Sequence, residues 1–257
     1  MIETRTIYIM AYRQIKRFLR AKSRLIGSIV NPVMWLVFFG LGWSSAFSSP
    51  MAKMVFHGLD YMSYLSPGVV MMTIFTASFI GGITVIWDKE FGFLKEILVA
   101  PVSRTASILG RALGDMLVAL LQGTIILIAT FYLAPSLKLS GIPLTILAGA
   151  LVAFSFTSIG IAIASKMRSI EGFQILMSFV NLPLLFSSGA FYPLDNLPEW
   201  MKLLAYVNPL TYGVDLARWS LTGVSQITPS VDLAALILLA IVMVSIASYI
   251  FNKATIE

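Results

Sequence analysis

Charged residues fall along the chain in short clusters separated by long apolar runs. Six runs of 20 residues or more contain no Asp, Glu, Lys or Arg: 25–52, 61–87, 116–137, 139–165, 172–194 and 233–252. A helix rises 1.5 Å per residue, so about 20 apolar residues cross the roughly 30 Å hydrocarbon layer of a bilayer. None of the runs alternates polar with apolar positions, as barrel strands of about 10 residues do. The pattern predicts an all-α membrane protein with six transmembrane helices, at about 25–48, 63–87, 105–134, 142–165, 172–191 and 230–251. Residues 1–24 form a lead-in and 25–257 a single transmembrane domain.

Punctuation agrees with these limits. Pro50, Pro67, Pro101, Pro135, Pro143 and Pro229 fall near the edges of the runs, where proline starts a helix or follows its end. Pro32 and Pro183 lie inside runs and predict kinks. The charge-free stretch 203–214 is too short to cross and contains Pro209. It predicts short re-entrant helices on the outer side before the last span.

Composition removes a soluble fold. The chain is 58% hydrophobic and 12% charged, against about a quarter charged in soluble domains. It has no cysteine, and His57 is its only histidine, so thiolate sites, disulfides and most metal or triad chemistry are excluded. The net charge of +6 is not a nucleic-acid surface, because the basic residues segregate by loop. With the N-terminus in the cytoplasm, fourteen Lys and Arg lie inside and four (Lys53, Lys138, Lys202, Arg218) outside. That balance predicts a multi-pass plasma-membrane protein with both termini cytoplasmic. The first apolar run exceeds the 7–15 residues of a signal core, so it reads as an anchor.

Three segments between the spans carry information. In the lead-in, Ile7, Ala11, Ile15, Phe18 and Leu19 share one helical face and Arg13, Lys16, Arg17, Arg20 and Arg24 the other. This predicts an amphipathic helix in the headgroup layer, its basic side toward anionic lipid or a partner; a purely topogenic charge cluster is the alternative. In the loop after span two, Phe91, Leu94, Ile97 and Leu98 form an apolar stripe among Lys89, Glu90 and Glu96, and Pro101 ends the run. A docking helix for a cytoplasmic protein and an ordinary helical connector fit that periodicity equally. In the outer segment 191–230, Pro198 opens a short helix, Asn208-Pro209 breaks it, and Trp200, Tyr206, Tyr212 and Trp219 suit an interfacial belt.

Enzyme chemistry is missing. The sequence contains no G-x-x-x-x-G-K-[ST], H-E-x-x-H or G-x-S-x-G motif. Arg111 and Asp115, four residues apart at the start of span three, are expected to form a structural ion pair. Gly110 with Gly114, and Ser78 with Gly82, offer close helix approach, within one subunit or between two. The chain reads as a route across a membrane without an energy source of its own.

Two motifs carry a resemblance. Glu90-x-Gly92-x-Leu94-x-Glu96-x-Leu98-x-x-Pro101 resembles the first cytoplasmic loop of ABC-2 type transporter permeases, particularly the drug-exporter branch. Lys89 and Phe93 stand where that loop often has Arg and Thr. Ser188-Gly189-x-Phe191-x-Pro193, Leu197-Pro198-x-Trp200 and Asn208-Pro209-Leu210-Thr211-Tyr212, with Asp215 and Arg218, resemble the family's extracellular motif.

The resemblance implies a non-enzymatic subunit of an exporter. Two permease subunits, identical or related, form the path, and two separate ATPase subunits bind ATP and magnesium; this chain binds no cofactor and no nucleic acid. Residues 88–98 are the implied coupling helix, and Lys89, Glu90, Phe91, Gly92, Leu94, Glu96 and Pro101 the implied ATPase-coupling residues. Arg13, Arg17 and Arg20 belong to the connecting helix. Gly189, Phe191, Pro193, Pro198, Trp200, Asn208, Pro209 and Tyr212 belong to the outer gate. The expected cargo is a lipophilic drug, a lipid or a glycoconjugate. An ATP-independent pore or lipid scramblase, and a membrane-embedded assembly factor, are the competing readings.

Overall fold

The computed structural model describes residues 2–91, 103–167 and 169–252. Among these residues every regular element is helical, and six helices are long and apolar enough to cross a membrane. They are span one (Leu25–Ser44), span two (Tyr61–Asp88), span three (Thr105–Leu133), span four (Leu139–Lys166), span five (Ile170–Ser187) and span six (Pro229–Ile250). A lead-in helix, Ile2–Arg20, precedes them. Two outer helices, Glu199–Val207 and Pro209–Thr222, connect span five to span six.

The spans begin where short polar side chains satisfy N–H groups that have no partner within the helix. Asp60 accepts from the Ser63 N–H at 3.0 Å, Ser103 from Ala106 at 3.0 Å and Ser169 from Gly172 at 3.1 Å. Pro143 and Pro209 occupy the first turns of their helices, where a missing N–H is harmless. Pro67 departs from the edge position expected of it. Asp60 starts the helix, and Pro67 lies inside Tyr61–Ile80, where surrounding protein covers the backbone. Pro32 also lies inside a helix, and the backbone beyond it runs as a π-helix over Leu36–Leu41. Such a turn is one way to absorb a break in the hydrogen-bond ladder.

Span two is the most buried, with span four beside it, while spans one and six are mostly exposed. Phe75 of span two meets Phe156 of span four edge-on at 4.5 Å, a geometry worth about 0.5–1.5 kcal/mol beyond its area. Span two breaks at Gly81-Gly82 into Tyr61–Ile80 and Ile83–Glu90. A Cβ on Gly82 would stand 2.5 Å from the Gly160 carbonyl oxygen, so spans two and four touch backbone to backbone here.

The lead-in helix packs along span three. A Cβ on Gly110 would lie 2.6 Å from the Ile7 carbonyl oxygen, and one on Gly114 2.9 Å from Ala11 Cα. The Gly110/Gly114 pair thus serves packing within the subunit. The buried stripe of the lead-in is Met10, Gln14 and Phe18, a rotation from the face expected from hydrophobicity, and Leu19 is half exposed. The polar Gln14 belongs to that stripe because it packs over Gly114, its Cβ 2.8 Å from where a Cβ there would stand.

Candidate functional site

The end of the bundle expected to face the cytoplasm, here the inner end, is organised around Asp88, the last residue of span two. It is almost wholly buried. Arg13 of the lead-in donates from Nη2 to Asp88 Oδ1 at 2.7 Å, and Arg111 of span three donates from Nη1 to Oδ2 at 2.6 Å. Arg17 Nη1 lies 3.7 Å from Oδ1, and its guanidinium sits 4.9 Å from the centre of the Trp87 ring. Arg111 also donates to Thr84 Oγ1. One carboxylate therefore joins three separately arriving helices, in surroundings where removing a partner from a buried ion pair costs about 3–5 kcal/mol.

This geometry corrects two expectations. Arg13 and Arg17 turn inward to Asp88 rather than outward to lipid or a partner; Arg20 is exposed. Arg111 bridges across to span two, pairing with Asp88 and Thr84 rather than with its helical neighbour Asp115. The Asp115 carboxylate lies against Gly81, 3.0 Å from where a Cβ there would stand. Glu90 and Phe91 continue from Asp88 and are exposed, Phe91 by 83%. For Lys89 only the backbone is described; Gly92, Leu94, Glu96 and Pro101 lie outside the described residues.

The outer end is organised around Arg218, which is fully buried. Its Nη2 donates to the Gly189 carbonyl at 2.8 Å and its Nε to the Tyr64 carbonyl at 3.4 Å. The guanidinium lies 3.9 Å from the centre of the Tyr64 ring, and Nη1 is 3.8 Å from Asp215 Oδ1. The Tyr64 hydroxyl donates to the same Gly189 carbonyl at 3.0 Å. Asp215 accepts from the backbone N–H groups of Gln226 at 3.0 Å and Ile227 at 2.8 Å. Burial pushes the Asp215 carboxyl above its ordinary range, while Arg218 and those two N–H groups pull against it. Asp232 is fully buried at the start of span six.

The expected outer-gate residues divide into two groups. Asn208 ends one outer helix and caps the next, accepting from the Leu210 N–H at 3.0 Å. Its Nδ2 also donates to the Leu184 carbonyl at 2.7 Å, one of the last carbonyls of span five. Pro209 follows at the first turn, and the Tyr212 hydroxyl donates to the Tyr206 carbonyl. Phe191 packs against Trp35 at 5.1 Å, Phe39 at 5.9 Å and Phe186 at 5.3 Å, closing span one onto span five. Gly189 supplies the carbonyl that holds Arg218. Pro193 and Pro198 shape the intervening turns, the Pro198 carbonyl accepting from Met201 at 2.9 Å. Trp200 faces outward, exposed with Leu203 and Val207.

Sequence reasoning gave no role to Asp88, Tyr64 or Asp232, and named Arg218 in the outer motif and the inside–outside count without its buried partners. The i, i+3 spacing of Asp215 and Arg218 within an apolar segment was a usable signal. Tyr64 gave none, lying far from Arg218 along the chain.

Residues 5–222 match the family described as ABC-2 type transporter. The chain is 32% identical over 202 residues to ycf38 of Porphyra purpurea, named as a transport permease, covering 78% of this chain and 68% of that one. It is 25% identical over 216 residues to the inner membrane transport permease YadH of Escherichia coli, covering 84% and 82%. A third relative is YbhR of Escherichia coli, named a probable multidrug ABC transporter permease. It is 26% identical over 166 residues, covering 62% of this chain and 44% of its own.

Proposed function

The chain belongs to the ABC-2 type transporter family, and from that premise we propose that it is the membrane half of an ATP-driven exporter. Two permease subunits form the path, each working with a separate ATPase subunit that holds the nucleotide. The cargo is an amphiphile moved outward: a lipophilic drug, a lipid or a glycoconjugate. The multidrug name of YbhR and the apolar spans support this class. Both termini lie in the cytoplasm, following the fourteen-to-four bias of basic residues.

The observation that carries the reading is the Asp88 joint. Asp88 is the first residue of the proposed coupling helix, residues 88–98. Asp88 is tied to the lead-in helix and to span three by two ion pairs of 2.7 and 2.6 Å. A push on that segment from an ATPase subunit is transmitted to three helices together. The exposed Glu90 and Phe91 are the first residues able to receive it. ATP binding shifts the equilibrium only if the ATPase holds the two permease conformations with different affinity. The aromatic closure around Phe191 is the outer gate that opens in response.

The test is reconstitution in lipid vesicles of this chain alone and with a P-loop ATPase that co-purifies with it. The proposal expects ATP-dependent transport only from the complex, lowered when Glu90→Ala is introduced while insertion is retained. Movement of a lipophilic probe through vesicles containing the chain alone, indifferent to ATP, would instead make it a passive pore or scramblase.

A further inference from the structure

A cavity of about 380 Å³ lies between the lead-in helix and spans one, two and three. That volume is at the small end of ligand sites. Several of its polar lining groups are already engaged. Ser28, Thr73 and Thr84 donate their hydroxyl hydrogens to the carbonyls of Leu25, Val69 and Gly81, one turn back along the chain. The two charged side chains of the lining have partners of their own: Arg17 lies against Asp88 and the Trp87 ring, and Asp115 is likewise engaged. Gln14 is different. It is 3% exposed, and its Nε2, a donor only, has no hydrogen-bond partner among the described residues. A buried N–H without an acceptor is costly, and this one belongs to the wall of a cavity. Polar side chains that line a cavity inside a membrane bundle mark ligand sites by default.

We propose that this cavity binds a neutral amphiphile by an ester or amide carbonyl, Gln14 Nε2 donating to the carbonyl oxygen. With Arg17 and Asp115 already paired, a charged ligand finds no counter-ion here, whereas a neutral acceptor finds a donor. The apolar part of the ligand rests on Met72, Ala77, Ile80 and Val118. Its chain leaves beside span one, where the lining residues Gly27 and Asn31 are exposed and a Cβ on Gly27 would touch nothing. Gln122, 5% exposed, closes the far wall. It stands eight positions along span three from Gly114, over which Gln14 packs, so the wall runs about 12 Å at 1.5 Å per residue. That depth suits a carbonyl head with one short chain or ring, not a glycoconjugate. Resting on the export reading, the ligand is cargo entering from the inner leaflet; its binding stands apart from that role.

The test is native mass spectrometry of the purified full chain released from nanodiscs of diphytanyl phosphatidylcholine, an ether lipid without carbonyls. The probes are monooctanoylglycerol, an ester, and monooctylglycerol, its ether counterpart. The ester should be retained about five-fold more often than the ether, the selectivity of one neutral hydrogen bond. Gln14→Met keeps the length of the side chain and removes the donor, so it should equalise the two probes. Ala77→Leu fills the cavity and should lower retention of both, while Tyr132→Ala, on an exposed surface, changes neither. Repeating the measurement in diphytanoyl phosphatidylcholine, the ester-linked lipid, separates sources. Loss of the probe with that lipid retained in its place assigns the bilayer's own esters, and persistence of the probe assigns a free amphiphile. Equal retention of ester and ether by the unmutated chain would overturn the proposal, as would retention unchanged by Ala77→Leu. The ester and ether comparison needs no variant, so it decides even where Gln14→Met does not fold. Because binding is read without an ATPase, its failure leaves the export reading standing, and failure of export leaves this result intact.

Discussion

The two ends of the bundle each hold a buried ion cluster, but they are built on opposite plans. At the inner end one carboxylate, Asp88, faces three guanidiniums arriving from the lead-in helix and span three. Nearly all of its bonds are side chain to side chain. At the outer end one guanidinium, Arg218, is held by the backbone carbonyls of Gly189 and Tyr64, by the Tyr64 ring and by Asp215. Backbone carbonyls cannot swap partners without unfolding their own segment, so the outer cluster is a rivet. Guanidiniums around a shared carboxylate can trade places as helices slide, so the inner cluster is a joint. In the proposed exporter, a joint at the root of the proposed coupling segment, opposite a rivet behind the proposed outer gate, is what a subunit driven from one side requires.

The largest expected effect tests the rivet. Arg218→Leu leaves Asp215 buried without its cation and takes one donor each from the Gly189 and Tyr64 carbonyls, and should destabilise the chain by about 3–5 kcal/mol. It should appear as loss of monodisperse protein after extraction. Near-normal thermal stability would show that the outer cluster is decorative. Asp88→Asn keeps the shape of the joint but removes its charge. We expect a cost of about 1.5–3 kcal/mol, from charge-assisted hydrogen bonds reduced to neutral ones. Limited proteolysis should then release the lead-in helix before any other segment.

Smaller effects sharpen the contrast. Gly110→Val puts a side chain into the Ile7 backbone, an overpacking of about 1–3 kcal/mol. If charge rather than packing holds the lead-in, cross-linking between engineered cysteines on the two helices survives this change and fails in Asp88→Asn. Asn208→Ala removes a helix cap and the donor to Leu184, a loss of about 0.5–2 kcal/mol. Its signature should be local: faster hydrogen exchange in Pro209–Thr222 and in the end of span five, with the inner end unaffected.

Much of the architecture was legible because a bilayer forbids what water allows. A charge inside hydrocarbon is so costly that its absence over 20 residues announces a helix, and six such runs gave six helices. The same rule hid the clusters. Ending each span at its first charge assigns Asp88 to a loop, although it is a buried residue of span two. Arg218 was read only as an outer-side charge and a member of the outer motif with Asp215, although the carbonyls and ring that hold it come from other segments of the chain. Neither partnership has a local spacing that a sequence displays; Arg13 and Asp88 are 75 positions apart, and Arg218 and Tyr64 are 154. The lead-in was read with the right amphipathicity and the wrong rotation, because Gln14 counts as polar and therefore outward. Periodicity does not reveal a polar cavity inside.

The direct test of the joint is the ATP turnover of the assembled complex in nanodiscs, with the unmutated chain and with Asp88→Asn at matched ATPase content. If the joint transmits the stroke, the Asp88→Asn complex still assembles, but its turnover and transport separate: ATP is hydrolysed while export falls at least ten-fold. If export per ATP is the same in both complexes, the segment at Asp88 is an ordinary connector and the coupling runs elsewhere.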